Sequence, residues 1–174
     1  MRQLSKMNAT VRRATAEDIP ALVILMDEFY AEAGFPLDRA WASATFSALL
    51  AAPARGAAWI LLNGNEPAGY VVLTVRFSME HGGLDAFIDD LFVRSPYRRR
   101  GMGSMALRAL FGECQRRGVL AVHVEAGREN HAANALYASH GLALRPDVRQ
   151  LLTVRLHPGE ADLGARETQG DERR

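Results

Sequence analysis

Two adjacent carboxylates, Asp89 and Asp90, interrupt the apolar run from Phe87 to Val93. A carboxylate is costly to bury unless it is paired, so an acid inside an apolar strand points to a site. Neighbouring strand residues project to opposite faces, which predicts one aspartate towards a cleft and one away from it. An ionised carboxylate can accept a proton, directly or through a water, or hold a cation. Just downstream, Arg98, Arg99, Arg100, Gly101, Met102, Gly103 and Ser104 bring positive charge and two glycines to the start of a helical pattern. A helix N-terminus offers unpaired N–H groups and partial positive charge, and glycine lets an anion reach them without a Cβ in the way. That chemistry suits a phosphate. Glu125 closes a later apolar stretch, where it would bind a substrate cation, act as an alternative base or pair with an arginine. His123 alternates with Glu125 and is read as packed. No spacing among His81, His123, His131, His140 and the acids forms a metal-site pattern, so no metal is expected.

Three phosphate ligands compete for the glycines. A nucleoside-triphosphate loop needs Lys and Ser or Thr after its last glycine, and Ser104-Met105 stands there instead. The run from Gly101 to Ala106 fits the dinucleotide pattern G-x-G-x-x-A, with Glu125 about 20 residues on. In that pattern the first glycine follows the strand directly, whereas Arg94 to Arg100 intervene here. The third reading uses Arg98-x-x-Gly101-x-Gly103, after an apolar strand and opening a helix.

This closely resembles the coenzyme A signature Q/R-x-x-G-x-G/A of the GNAT superfamily of N-acetyltransferases. Asn130, Ala133 and Tyr137, followed by Gly141, resemble its second cofactor motif, and the likeness runs roughly from Thr10 to Leu156. The resemblance implies acetyl-CoA as acetyl donor, with pyrophosphate on the N–H groups of Arg99 to Ser104. It implies a pantetheine arm added like a strand beside Leu91, Phe92 and Val93. Tyr137 would protonate or hydrogen-bond the departing thiolate. Asp89 aligns with the strand position of a glutamate base in diamine acetyltransferases. An aspartate is one methylene shorter, which favours a water relay. Asp90, Glu125, Glu80 and Tyr30, with Phe29, Phe35 and Trp41, are candidates for the acceptor side. The acceptor leans towards a small cationic amine. Amino acids, aminoglycosides, protein N-termini and lysines stay open, as does a non-catalytic acyl-coenzyme A-binding module. A homodimer is common in the family.

These residues need elements to hold them. Periodicity predicts a strand at Thr10–Ala14 and two helices, one capped by Thr15 and one by Asp38. An Asn-Gly hairpin follows between Ala57–Leu62 and Ala68–Phe77. Next comes the strand Ala86–Val93, a helix at Gly103–Arg117, the strand Val119–Glu125 and a short helix at Ala132–Ser139. Leu142–Leu144 and Gln150–Leu156 are expected as a last strand pair. The fold class is α/β: a GNAT-like, mixed and mostly antiparallel sheet with helices on both faces. A single helix joins Ala86–Val93 to Val119–Glu125, which predicts a parallel pair, splayed to admit the cofactor. Residues 10–156 are expected to form one acetyltransferase domain, between a flexible leader at 1–9 and a disordered tail at 157–174.

Composition excludes several classes. The chain has 174 residues, 48% hydrophobic and 24% charged, with formal net charge +1. No global field marks a nucleic-acid partner. No apolar run approaches the roughly 20 residues of a membrane span. The first ten residues lack a signal-peptide core, so a cytoplasmic location is expected. Cys114 is the sole cysteine. It falls mid-helix, away from the motifs, which predicts direct transfer rather than a covalent enzyme intermediate.

Overall fold

The computed structural model of the chain describes residues 8–144. Its elements are β1 (Ala9–Arg13), α1 (Ile19–Glu32), α2 (Arg39–Leu50), β2 (Gly56–Asn63), β3 (Glu66–Ser78), β4 (Gly83–Val93), α3 (Met102–Arg117), β5 (Ala121–Val124) and α4 (His131–Ala138). Ala9, expected in the leader, is the first residue of β1. The strands form one sheet in the order β1-β2-β3-β4-β5. The first three pairings are antiparallel and β4–β5 is parallel. Residues 142–144 carry no strand, and their expected partner at 150–156 lies outside the described residues, as do positions 1–7 and the tail. No helix among the described residues is long and apolar enough to cross a membrane.

Local sequence explains the boundaries. Thr15 and Asp18 form a capping box around a short 3-10 turn that leads into α1. The Asp38 carboxylate accepts hydrogen bonds from the N–H groups of Ala40 and Trp41 at 2.8 and 3.1 Å, starting α2. Gly64 takes φ +61° in the two-residue β2–β3 hairpin, as that turn requires. Gly118, at φ +68°, ends α3.

Alternation along β2 and β3 divides the core between the two faces of the sheet. Trp59, Leu61, Val71 and Leu73 pack with Met102, Ala106, Leu107 and Leu110 of α3 and with Tyr137 of α4. Ala58, Ile60, Tyr70 and Val72 pack with Leu22, Leu25 and Met26 of α1 and Phe46 of α2. Burying a large apolar side chain contributes about 1.5–3 kcal/mol, so these two layers fix the sheet between its helices. The parallel β4–β5 pair stands at one side of that sandwich.

Candidate active site

The site begins with a slip of one residue in β4. Val72 of β3 lies opposite Asp90 and Leu73 opposite Ile88, which leaves Asp89 without a partner on β3. The side chains record the same slip. Ala86 and Ile88 belong to the core under α3, whereas Phe92 belongs to the core under α1 and α2. Unbroken alternation would put all three on one face. Asp89 is therefore a β-bulge, and the regular alternation behind the expectation that Asp89 and Asp90 point to opposite faces is interrupted there. The parallel ladder also stops at this point, with Ile88 opposite Val124 as its last pair. β5 is shorter than the expected Val119–Glu125. Residues 89–93 have no β5 partner among the described residues, so the gap opens at the bulge and runs beside Leu91, Phe92 and Val93.

Acids gather at the head of the gap. The Tyr70 hydroxyl donates to the Asp90 carboxylate at 3.0 Å. Burial pushes the Tyr70 pKa well up, reinforced by the charge and hydrogen bond of Asp90 and by the charges of Tyr30 and Asp89. The Asp89 side chain reaches solvent, yet its pKa is raised first by desolvation and then by the charge of Glu125. Glu125 is exposed, one residue beyond β5. Tyr30 meets Phe29 edge-on at 5.8 Å between centroids, and Phe29 lies 5.6 Å from Phe92, which joins α1 to the wall of β4. Trp41 is exposed. Glu80 is in the turn before β4, next to the charge of Arg76. From Gly83 to Asp89 the strand advances about 20 Å, so Glu80 is not part of the bulge cluster.

The opposite lip is apolar. Leu91, Val93, Ala133 and Leu136 pack against the core cluster that contains Tyr137. Tyr137 is 8% exposed. Its pKa is raised by burial and then by the charge of Asp90, so its hydroxyl keeps its proton at neutral pH. Among the described residues that hydroxyl has no hydrogen-bond partner.

The gap runs on to the N-terminus of α3. Gly101 caps that helix at φ +84°, and a Cβ built there would meet open space. Arg99 also adopts positive φ, at 61°, which is uncommon outside glycine. Met102 is 1% exposed and belongs to the core, so only its backbone is left for a ligand. A Cβ on Gly103 would stand 2.8 Å from Leu136, a close approach that ties α3 to α4. Ser104 is half-buried, and Arg99 and Arg100 are exposed.

Arg98 is directed elsewhere. Its Nε donates to the Val93 carbonyl at 2.7 Å, another guanidinium nitrogen is 2.5 Å from Glu32, and the group lies 5.6 Å over Phe92. Arg94 forks onto Glu28 with two 2.7 Å bonds. These arginines strap the loop to α1. Asn130 likewise caps α4, its Oδ1 accepting from the Ala133 N–H at 3.1 Å.

Sequence reasoning missed Tyr70, whose partner Asp90 is visible only through strand register. It also missed a second cluster. His81, Asp85 and His123 each bring a ligand atom within 4.8 Å of the other two. Cys114 is buried in α3, and burial pushes its thiol up to about 11, so it supplies no thiolate at neutral pH.

Comparison with known proteins places this arrangement. The profile of the acetyltransferase (GNAT) family matches residues 21–142. The crystal structure of an integron cassette protein, HFX_CASS3, from the mobile metagenome of Cole Harbour Salt Marsh is 42% identical. It aligns over 86% of this chain and 91% of its own, with TM-score 0.75. A predicted acetyltransferase from Clostridium acetobutylicum, solved with acetyl-CoA, shares the fold at 16% identity and TM-score 0.70, over 83% of this chain and 96% of its own. So does the aminoglycoside acetyltransferase meta-AAC0020 from an uncultured soil metagenomic sample, in complex with sisomicin, at 20% identity and TM-score 0.68, over 84% and 97%. A sheet opened at a β4 bulge, the glycine turn into α3 and this profile match agree: the chain belongs to the GNAT acetyltransferase family.

Proposed function

We propose that the protein transfers an acetyl group from acetyl-CoA directly to a primary amine of a small cationic molecule. The observation that carries this reading is the bulge at Asp89, which opens the gap and lines its head with carboxylates. The residues present fit the donor. The left-handed turn at Gly101 leaves open space above the first N–H groups of α3, where pyrophosphate belongs, with Arg99 and Arg100 beside it. The edge at 89–93 offers backbone groups to an amide-bearing arm. Bound there, acetyl-CoA supplies an activated thioester carbonyl.

The chain's own side chains do the rest. Asp89, directly or through a water, takes the proton that a bound ammonium must lose before it can attack. Its pKa, raised by desolvation and then by the charge of Glu125, makes it a better proton acceptor than an ordinary aspartate. Asp90 and Glu125 hold the acceptor's positive charge, and Tyr30 closes the acceptor side. Tyr137, still protonated, gives its proton to the departing thiolate, and the second proton, shed by the acetylated nitrogen as the amide forms, restores the phenol. Backbone N–H groups at the bulge meet the charge that develops on the acetyl oxygen.

The test is release of free thiol from acetyl-CoA across a panel of diamines, polyamines, aminoglycosides, amino acids and a lysine peptide. The expected result is amine-dependent thiol release, greatest with small polycations and matched by acetylated amine in mass spectrometry. Tight binding of acetyl-CoA with no amine-dependent release would make the protein a binding module.

A further inference from the structure

The second cluster lies on the same strand as the acetyl-transfer site but at its other end. Asp85 is in the first half of β4, four residues and about 13 Å of strand before Asp89. His123 is brought to it by the parallel register, which sets Asp85 opposite Ala121 and Phe87 opposite His123. His81 comes from the turn that enters β4. The His123 Nε2 stands 3.2 Å from the Asp85 Oδ2, and Asp85 is 1% exposed. The His81 and His123 rings are stacked, with centroids 5.7 Å apart. The His81 Nε2 is buried and has no hydrogen-bond partner among the described residues.

A hydrogen-bonded clamp explains only part of this. Asp85 and His123 satisfy one another, and Arg76 forks onto Asp85 at 2.7 and 3.1 Å. Nothing in that arrangement serves the ring of His81, although an orphaned buried polar atom is rare and calls for a cause. A cation held by all three side chains supplies one. Donor atoms around a tetrahedral zinc stand about 3.3 Å apart, close to the His123–Asp85 spacing, and His81 needs to move by about an ångström or more to complete the set. Two imidazoles and one carboxylate suit zinc-class ions and not magnesium or calcium, which prefer oxygen alone. Arg76 would remain on Oδ1, orienting the carboxylate as a second partner often does for a metal ligand. Its positive charge is largely in solvent, with the side chain 60% exposed, and Glu80 offsets it.

We propose that His81, Asp85 and His123 form a binding site for a zinc-class divalent ion, separate from the acetyl-transfer site. The ion would tie the turn before β4 to β5 and clamp the parallel pair just before it splays. Full-length protein dialysed against a chelator and titrated with zinc chloride in a calorimeter tests this. The expected result is one zinc per chain and a rise in Tm that the chelator reverses, with no effect of magnesium chloride. Cobalt(II) should give the visible absorption of a tetrahedral site. His81→Ala and His123→Ala should each weaken zinc binding at least tenfold and abolish the cobalt spectrum, and His140→Ala should do neither. Because the His81 Nε2 has no partner among the described residues, His81→Ala breaks no hydrogen bond seen there, and circular dichroism checks its fold. Absence of stoichiometric zinc binding, or unchanged zinc affinity in either cluster variant, overturns the proposal.

Discussion

Tyr137 and Asp89 are perturbed in ways that suit opposite tasks. Tyr137 is buried among apolar neighbours and keeps its proton, as a donor must. Asp89 stands where desolvation and the charge of Glu125 disfavour its ionised form, which raises its basicity. Replacing Tyr137 with Phe keeps the packing ring and removes only the hydroxyl. We expect kcat to fall about 10²-fold, the low end for a general acid, with acetyl-CoA KM little changed. Steady-state kinetics on the best amine checks this, and unchanged turnover would assign Tyr137 to packing alone. Much of this scale was legible. Asp89, Asp90 and Tyr137 stood out as acids in an apolar strand and a tyrosine in a motif. The ion pair of Arg98 was not, because a residue type does not reveal a partner such as Glu32, 66 positions away.

The bulge and the turn into α3 are the two elements that turn a sheet into a cleft. The turn was readable, since Gly101 and Gly103 precede a helical pattern in the sequence itself. The bulge was not, because a slip of one residue changes no residue type and shows only in register and in the face each side chain takes. The cluster of His81, Asp85 and His123 was hidden for the same reason: its ligands meet across strands, at no motif spacing. Gly101→Ala tests the turn. At φ +84° an L residue carries about 1–2 kcal/mol of strain, and the added Cβ points into the open space proposed above for the phosphates. We expect the Kd for acetyl-CoA to rise about tenfold and Tm to fall by roughly 2–8 °C. Calorimetric binding and thermal melts read both, and unaltered affinity would place the phosphates elsewhere.

Across the whole molecule, the sheet is braced far from the cleft by one buried acid. Glu113 of α3 is 6% exposed. Burial pushes its pKa up, but bonds from Arg116, Arg117 and Arg13 outweigh this and take it from an ordinary 4.5 down to about 2. Arg13 is on β1, so the cluster ties α3 to the far edge of the sheet. Because the folded value is depressed, the contribution is complete above pH 4.5 and is lost as pH falls towards 2. We expect Glu113→Gln to cost up to about 3 kcal/mol at neutral pH, with the gap from wild type closing between pH 4.5 and 2.5. Denaturant melts across that range check it, and a gap independent of pH would refute the charge linkage. The element order as far as α4 and the parallel β4–β5 pair followed from periodicity and the single crossover helix. This acid cluster did not, since Arg13 and Glu113 are 100 residues apart.

Direct transfer with Asp89 as the proton acceptor is tested most directly by the kinetics of Asp89→Asn with the best acceptor amine. The substitution removes a carboxylate whose charge is disfavoured, so Tm should not fall. The predicted result is a loss of about 10²-fold in kcat with the amine KM little changed, because the group acts on a proton in flight. A raised amine KM with kcat intact, or rates equal to wild type, would contradict it.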